Sequence, residues 1–321
     1  MVILSQRASL MMLLNGLIDT PTIASSSMAG EAMQDSERDR GKALIDFANP
    51  AENLKAFVKL TASLDPTVQN VGWFGGTIYA VIGDDQKVQP LIGVEGCGVT
   101  RVEPRGDNVY RMFNREFAVY KDLSSGRYLD RWHNPLIDET VDVLPIQNLT
   151  VNAEIAPITK QDFDGTMVES PFTPPWIVQQ GTAFSLLEVH TAFPNPMTPK
   201  EWPRESAGPV NRTSEMFNRA ASYAELADPG LPHVYSTGTW VRVSPWLPWM
   251  LMGQRKGHLM YRTFMQRTGS ASSLPPQLFN YMSKYFPDFL SAPSPNSWGS
   301  PNDSSFLVYM KKRSPAPTRN R

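Results

Sequence analysis

Short extended runs separated by turn residues dominate the chain from residue 71 onwards. The run VGWFGGTIYAVIG ends at Gly83-Asp84-Asp85, and VYRMFNREFAVYKD follows the turn Gly106-Asp107-Asn108. Runs and turns of this kind are typical of antiparallel hairpins, not of βαβ units. Later extended runs are expected at residues 183–193, 235–244, 258–268 and 304–311. About nine or ten strands result, which is enough to close a barrel or to form a strongly curled sheet. The pattern therefore predicts a mainly β fold, a single antiparallel β-barrel-like domain of the calycin or lipocalin type.

Three segments carry the periodicity of helices. Asn49 is a suitable N-cap and Pro50 a suitable first residue, so a helix is expected over residues 50–63. Apolar residues at helical spacing predict a second helix over residues 214–226. A third is expected over residues 274–286, where prolines precede and follow the apolar stripe. We expect these few α-helices to lie at the periphery of the β domain.

Composition divides the chain into three parts. Residues 1–48 are expected to form a mobile lead-in or a degenerate leader, residues 49–312 the single β-rich domain, and residues 313–321 a frayed basic tail. The stretch SQRASL resembles a twin-arginine leader in which Gln6 replaces the first arginine. We therefore expect a cytoplasmic protein, with export through the degenerate leader as the alternative. No apolar run reaches the roughly 18 residues that a transmembrane helix needs.

Charge and motif content argue against several classes of partner and cofactor. A formal net charge of −1 gives no basic footprint for a nucleic acid. The single cysteine, Cys97, cannot form an internal disulfide, and the four histidines show no zinc-ligand spacing. The sequence motifs of dinucleotide-binding proteins, P-loop proteins, serine hydrolases and zinc proteases do not occur. We therefore expect no cofactor and no metal.

Glu188 and His190 are the candidates for acid–base chemistry. In FSLLEVHTAF they are two residues apart, so they share one face of a strand, and the carboxylate can orient the imidazole. Arg115 and Arg242 are candidates for stabilising a developing oxyanion. The alternative is that Glu188 and His190 form a solvated pair on the outside of the strand.

Aromatic residues lie within or beside the predicted strands and suit the wall of an apolar pocket. Glycines flank Glu95 and permit a bulge or a close backbone approach, so this carboxylate could point inward. A tryptophan-rich core is the alternative interpretation. The candidate lining residues are Trp73, Glu95, Trp132, Trp240, Trp246, Trp249, Met252 and Tyr261.

The segment VSPWLPWMLMGQRKG, residues 243–257, places two tryptophans among prolines. Pro245 and Pro248 lack amide donors, so the segment cannot be a central strand. Three roles fit it: a plug that closes a core, an oligomer contact, or the rim of a pocket for an apolar ligand. We expect a rigid loop at the mouth of the barrel, with at least one of Trp246 and Trp249 lining the cavity.

Several long stretches resemble the family of unknown function called DUF1838. They are FVKLTASLD, VGWFGGTIYAVI, YRMFNREFAVYKDLSSGRYLDRWHNPLIDETVDVLPIQN, NPMTPKEWPRESAG and TGTWVRVSPWLPWMLMGQRKGHLMY, and the similarity spans about residues 52–312. The family's usual Asn-Asp-Pro-Val-Asn run is replaced here by Asn148-Leu149-Thr150-Val151-Asn152, which lacks the aspartate. The resemblance implies neither an activity nor a set of catalytic residues.

These features favour a cofactor-independent enzyme of the isomerase, cyclase or lyase type. Its substrate would be an apolar, terpenoid- or polyketide-like molecule bound in an aromatic-lined cavity. A lipocalin-like carrier without catalysis is the alternative, and an interaction protein that uses the tryptophan–proline segment as its contact surface is a third. We expect an apolar small molecule as partner and no nucleic acid, and a homo-oligomer stays open. An enzyme requires two or more titratable groups that converge inside the cavity, whereas a carrier requires none.

Overall fold

A computed structural model of the chain describes residues 44–317, apart from residues 85, 164–165 and 294–304. The α-helices are α1 (Pro50–Thr61), α2 (Tyr223–Ala227), α3 (Pro276–Tyr285) and α4 (Ser305–Lys312). The strands are β1 (Asn70–Ile82), β2 (Lys87–Gly106), β3 (Val109–Lys121), β4 (Arg131–Asn134), β5 (Glu139–Asp142), β6 (Ile146–Ile155), β7 (Ile158–Phe163), β8 (Thr166–Pro171), β9 (Trp176–Gln179), β10 (Thr182–Pro194), β11 (Val210–Ser222), β12 (Thr237–Ser244) and β13 (Gly257–Thr268).

Nine of these strands form one sheet in the order β6-β3-β2-β1-β13-β12-β11-β10-β9. Every pair of neighbours in it is antiparallel. The hairpins β4–β5 and β7–β8 form small separate sheets. The prediction of a mainly β, antiparallel fold is therefore confirmed. A closed barrel is not: the sheet has two ends, β6 and β9, and the described residues form no ladder between them.

The two faces of the sheet differ in what covers them. On one face, Val99 of β2 and Phe117 of β3 pack against Leu278 of α3 in a compact apolar cluster. Successive side chains of a strand point to opposite sides of the sheet, so the chain neighbours of Val99 and Phe117 point to the opposite face. Phe74 and Tyr261 belong to the cluster on that opposite side. We call the face under α3 the outer face and the opposite one the inner face.

Helix α1 begins as the sequence predicts and is buried along most of its length. The Asn49 side chain accepts a hydrogen bond from the backbone N–H of Ala51 at 2.9 Å, and Pro50 occupies the first turn. Phe57 and Leu60 are 4% and 1% exposed, and they belong to two different apolar clusters. The helix therefore packs between two parts of the core.

Two buried cations bind the carbonyl groups around the C-terminal end of α1. Nη1 of Arg267 donates to the carbonyl of Ala62 at 2.6 Å, and Nζ of Lys59 donates to the carbonyls of Leu226 and Asp228 at 2.6 and 2.7 Å. Burial lowers the pKa of both side chains, in Arg267 to about 10. A cation at a helix C-terminus is favourable because the last carbonyls carry partial negative charge. Lys59 and Arg267 thus tie α1 to β13 and to the loop after α2.

Two predicted elements have the wrong type, and two are confirmed. Residues 214–226, predicted as a helix, lie mostly in β11, which pairs with β10 on one side and β12 on the other. These ladders outweigh the helical spacing of the apolar residues. Residues 304–311 were predicted as a strand, but residues 305–312 form α4. The predicted helices over 50–63 and 274–286 are present as α1 and α3.

The tryptophan–proline segment is irregular, as its prolines require. A single 3₁₀ turn covers Pro248–Met250, and Leu251 and Gly253 follow with φ of 56° and 57°. These left-handed residues reverse the chain so that it enters β13 at Gly257. The segment is a tight connection between β12 and β13, and no strand of the sheet passes through it.

The predicted lead-in and tail are partly described. Residues 1–43 and 318–321 lie outside the described residues. Phe47, placed in the mobile lead-in by its composition, stacks on Trp176 with ring centroids 4.6 Å apart. Near the C-terminus, the backbone N–H of Ala316 donates to Oε1 of Glu205 at 2.6 Å. Nη2 of Arg313 lies 3.7 Å from Oδ2 of Asp142. Residues 313–317 are therefore bound to the domain and are not frayed. None of the helices in the described ranges is long and apolar enough to cross a membrane.

Candidate functional site

The inner face of the sheet surrounds a cavity of about 440 Å³. Strands from both halves of the sheet line it, including β6 through Asn148 and β10 through Leu187. A flat sheet of nine strands would hold these two strands far apart, so the sheet curls strongly around the cavity. α1 closes one end, and residues 245–248 line the opposite one together with the start of α4. The volume is typical of a site for a small molecule.

Two carboxylates, one guanidinium and one phenol converge inside this cavity. Glu215 of β11 and Arg242 of β12 are partners in the ladder, with Oε1 and Nη1 3.7 Å apart. Glu116 of β3 approaches from the other half of the sheet, and its Oε2 accepts a hydrogen bond from Nδ2 of Asn148 at 2.6 Å. The ring of Tyr261 lies 5.7 Å from the Arg242 guanidinium carbon. We call Glu116, Glu215, Arg242 and Tyr261 the polar cluster.

Burial and neighbouring charges shift the protonation of the polar cluster. Burial raises the pKa of Glu116; Glu215 raises it further, whereas Asn148 and Arg242 oppose the increase. Burial also raises the pKa of Tyr261, against the effect of Arg242. Burial, the largest single effect, would lower the pKa of Arg242, but Glu215, Tyr261, Glu116 and Tyr120 together outweigh it and leave that pKa raised. The raised pKa of Glu116 favours its protonated form, which can donate a proton to a ligand.

The cluster also keeps one hydrogen-bond donor unused. Nε of Arg242 is shielded from solvent and has no hydrogen-bond partner among the described residues. Buried N–H groups are rarely left without an acceptor, because the loss of hydration is then uncompensated. A ligand oxygen next to Arg242 would supply that acceptor. At positions where the structure is described, no group of three or more His, Cys, Asp and Glu side chains could hold a metal ion.

Aromatic rings line the wall beside the polar cluster. Phe217 and Trp240 stack with centroids 6.2 Å apart and planes 11° from parallel. Phe74 meets Trp240 edge-on at 5.2 Å. The indole N–H of Trp240 donates to Glu215 at 3.2 Å, so this ring joins the apolar wall to the polar cluster. The wall is therefore suited to a flat or extended apolar ligand whose polar group reaches Glu215.

Residues 68–314 match the model of a family described as a protein of unknown function, DUF1838. The chain belongs to this family. No curated protein matches it. Because the DUF1838 description carries no activity, the function has to be argued from the cavity of this member.

Five of the residues singled out in the sequence lie in the wall of the cavity of this DUF1838 chain. They are Trp73, Trp240, Arg242, Trp246 and Tyr261. Trp246 is 3% exposed and its indole N–H donates to the carbonyl of Arg255 at 2.8 Å. The structure therefore brings one predicted oxyanion-binding arginine together with four predicted aromatic residues.

The predicted Glu188–His190 couple lies on the outer face, and this corrects its expected position in the cavity. Oε2 of Glu188 and Nε2 of His190 are 3.4 Å apart, but the side chains are 67% and 54% exposed. In β10 the residues that line the cavity are Leu187, Thr191 and Phe193. Alternation along the strand therefore directs residues 188 and 190 to solvent.

Arg115 and Glu95 also lie on the outer face instead of in the predicted pocket. Arg115 donates to the carbonyl of Asp288 beyond α3. Glu95 is buried and fully paired: it accepts from Trp73 at 3.3 Å, from Lys121 at 3.2 Å and from Tyr128 at 2.9 Å. Such a satisfied carboxylate has a structural role, because its acceptor sites are already used.

The remaining predicted lining residues support the tryptophan–proline segment from behind. Trp249 is 3% exposed and packs on Tyr120, with ring centroids 4.9 Å apart. Trp132 meets Trp249 edge-on at 5.9 Å. Met252 is buried, and its sulfur lies 3.5 Å from Nδ2 of Asn134. These three side chains form core beneath the segment and do not line the cavity.

Sequence reasoning missed both carboxylates of the polar cluster. Glu116 was visible, because period-two alternation in YRMFNREFAVY puts it on one face with Met112 and Asn114. Glu215 was hidden by the prediction of a helix over residues 214–226. Had that segment been assigned to a strand, Glu215, Phe217 and Arg219 would have appeared on one face.

Two glycines of β1 lead to opposite predictions. A Cβ at Gly72 would meet nothing nearer than 4.0 Å, whereas a Cβ at Gly76 would lie 2.0 Å from the carbonyl oxygen of Arg262. Gly72 lines the cavity, so Gly72→Leu should weaken binding of the apolar dye N-phenyl-1-naphthylamine at least tenfold. The free energy of unfolding should change by no more than about 1 kcal/mol.

Gly76→Ala is the matched control for that variant, with fluorescence titration and urea unfolding as the measurements. The clash with β13 should destabilise the fold by about 1–3 kcal/mol or more. Unchanged dye affinity in Gly72→Leu would place the dye, and with it the apolar site, outside the cavity.

Proposed function

We propose that the cavity is the active site of an enzyme that transfers protons on an apolar small molecule, in the manner of an isomerase, cyclase or lyase. The observation that carries this proposal is the convergence of Glu116 and Glu215 with Arg242 inside an aromatic-lined cavity. A carrier of apolar ligands has no need for two partly buried carboxylates, and burying them is unfavourable. Pairs of acids in different environments are typical of acid–base catalysis.

The environments of the carboxyl groups assign their roles. Glu116, whose pKa burial raises, acts as the proton donor. Glu215 acts as the proton acceptor, and its hydrogen bond from Trp240 fixes the position of its Oε1 atom. Arg242, with its unused Nε donor, stabilises negative charge that develops on a substrate oxygen. Glu215 takes a proton from one substrate carbon and Glu116 donates a proton to another, after which exchange with solvent returns both carboxyl groups to their starting states.

The shape of the site supports the substrate class. The stacked Phe217 and Trp240 rings and the volume of about 440 Å³ suit an apolar skeleton of terpenoid or polyketide size. The strongly curled sheet would hold such a skeleton as a lipocalin holds its ligand, in a barrel-like cradle. In this arrangement the fold binds the substrate and the polar cluster performs the chemistry.

Two measurements in sequence test this function. Native mass spectrometry of the protein purified from its own host identifies a co-purifying small molecule. That molecule is then incubated with the protein in D₂O, where proton transfer to carbon incorporates solvent deuterium. Glu116→Gln and Glu215→Gln should abolish incorporation.

Glu188→Gln is the matched control, since Glu188 is exposed on the outer face. It should leave deuterium incorporation unchanged. A bound molecule that gains no deuterium with the unmodified protein would contradict the enzyme and favour the carrier. Loss of incorporation in Glu188→Gln alone would return the chemistry to the Glu188–His190 couple.

A further inference from the structure

Arg219 is a charged side chain in the cavity wall to which the described residues offer no counterion. It lies in β11 and lines the cavity from the inner face. Its guanidinium carbon is 5.4 Å from the centre of the Phe217 ring. Among the residues that the structure describes, it has neither a carboxylate within 4.0 Å nor a hydrogen-bond acceptor.

In the part of the chain that the structure describes, the other cations around the cavity are paired. Arg242 is matched by Glu215. Arg267 and Lys59 donate to backbone carbonyls at the end of α1. Arg219 therefore differs from its neighbours in that no described residue supplies an acceptor for its five N–H groups. Burial lowers the pKa of Arg219 to about 10, so the side chain keeps its charge at neutral pH.

An uncompensated charge in a cavity is unfavourable for folding and favourable for binding an anion. Removing a guanidinium from water costs free energy that an ion pair or hydrogen bonds must return. Guanidinium groups are well matched to carboxylates, which they bind through two parallel hydrogen bonds. A bound carboxylate would give Arg219 the counterion that Glu215 gives Arg242.

The spacing along β11 gives the ligand its length. Glu215, Phe217 and Arg219 share the inner face, and four residues of strand separate Glu215 from Arg219, which is about 13 Å. Phe217, stacked on Trp240, lies between them. The wall thus runs from a cation, over an aromatic surface, to the polar cluster.

We infer that the ligand is an apolar carboxylic acid whose carboxylate binds Arg219, whose apolar skeleton lies over Phe217 and Trp240, and whose reacting end reaches Glu116 and Glu215. This inference rests on the proposed use of the cavity for an apolar substrate and names the class of that substrate. Arg219 acts in binding and takes no part in the proton transfer.

Calorimetric titration of the full chain with sodium decanoate and with decan-1-ol tests the inference. The two probes have the same chain length, and their extended length suits the span between Arg219 and the polar cluster. Arg219→Gln should weaken decanoate binding at least tenfold and change decan-1-ol binding less than twofold. Arg219→Lys should restore part of the loss, because it keeps the charge without the planar fork.

Arg212→Gln is the matched control, since Arg212 lies exposed in the same strand. It should leave both affinities unchanged. A purely structural role for Arg219 would lower the thermal midpoint of Arg219→Gln, whereas we expect this midpoint to stay or to rise.

Equal effects of Arg219→Gln on both probes, or no binding of decanoate to the unmodified protein, would overturn the anion site. Deuterium incorporation that still depends on Glu116 would in that case leave the proposed function standing. Conversely, selective loss of decanoate without any incorporation would support the anion site and reject the enzyme.

Discussion

Replacing Glu116 by glutamine should lower kcat by about 10²–10⁴-fold, the usual contribution of a positioned acid or base. Glutamine keeps an oxygen that can accept from Asn148 but has no proton of comparable acidity to donate. The variant should therefore fold and bind substrate with little change while losing turnover. Steady-state kinetics with the ligand identified by mass spectrometry measure the effect. An increase in KM with unchanged kcat would mean that Glu116 only binds the substrate.

The same variant has a signature that requires no substrate. The pKa of Glu116 in the folded protein is raised above the ordinary value, so its contribution to stability is complete below the unfolded pKa, about 4.3, and is lost as the pH rises through the folded pKa. Glu116→Gln removes the ionisable group, and with it this loss of stability at higher pH. Its thermal midpoint should match that of the unmodified protein near pH 4 and exceed it at pH 8. A variant that is less stable at pH 8 would contradict the raised pKa.

Replacing Trp249 by alanine should lower the free energy of unfolding by about 3–5 kcal/mol. The side chain is 3% exposed and packs between Tyr120 and Trp132, so its removal leaves a cavity in the core beneath the tryptophan–proline segment. Binding of an apolar probe should fall little once the fraction of folded protein is taken into account. Urea unfolding together with N-phenyl-1-naphthylamine titration separates the two effects.

Trp246→Ala and Phe264→Ala are the comparisons for Trp249→Ala. Trp246 lines the cavity, so its replacement should also weaken the binding free energy of the dye by about 1–3 kcal/mol. Phe264 is 70% exposed, and its replacement should change stability by no more than about 0.5 kcal/mol. If Trp246→Ala and Trp249→Ala only destabilise, the segment is a plug for the core and not a wall of the site.

The fold class could be predicted because its signals are local. Turn residues at Gly83 and at Gly106 to Asn108 define hairpins without reference to the rest of the chain, and Asn49 with Pro50 defines the start of α1. Residues 210–222 could not be assigned in this way, because two neighbouring strands decide their conformation. Their helical spacing of apolar residues is an intrinsic preference that the ladders override.

The site was predicted less well because face assignment depends on tertiary structure. Alternation shows that Glu188 and His190 share a face, but only the packing of β10 shows that this face is the outer one. Glu116 and Glu215 lie 99 residues apart in the sequence, and only the curl of the sheet brings them into one cavity. Trp240, Arg242 and Tyr261 were found because paired strands next to the tryptophan–proline segment carry them.

The cations at the end of α1 determine where a ligand can enter. Lys59 and Arg267 donate hydrogen bonds to backbone carbonyls of α1 and of the segments beside it. Displacing the helix would therefore leave two buried charges without acceptors. We therefore expect that end of the cavity to stay closed. Residues 245–248 and the first turn of α4 line the opposite end, so we expect a ligand to enter there. A carboxylic acid would then enter with its carboxylate first and pass Glu116 and Glu215 on the way to Arg219. Its reacting end would enter last and stop beside the two glutamates.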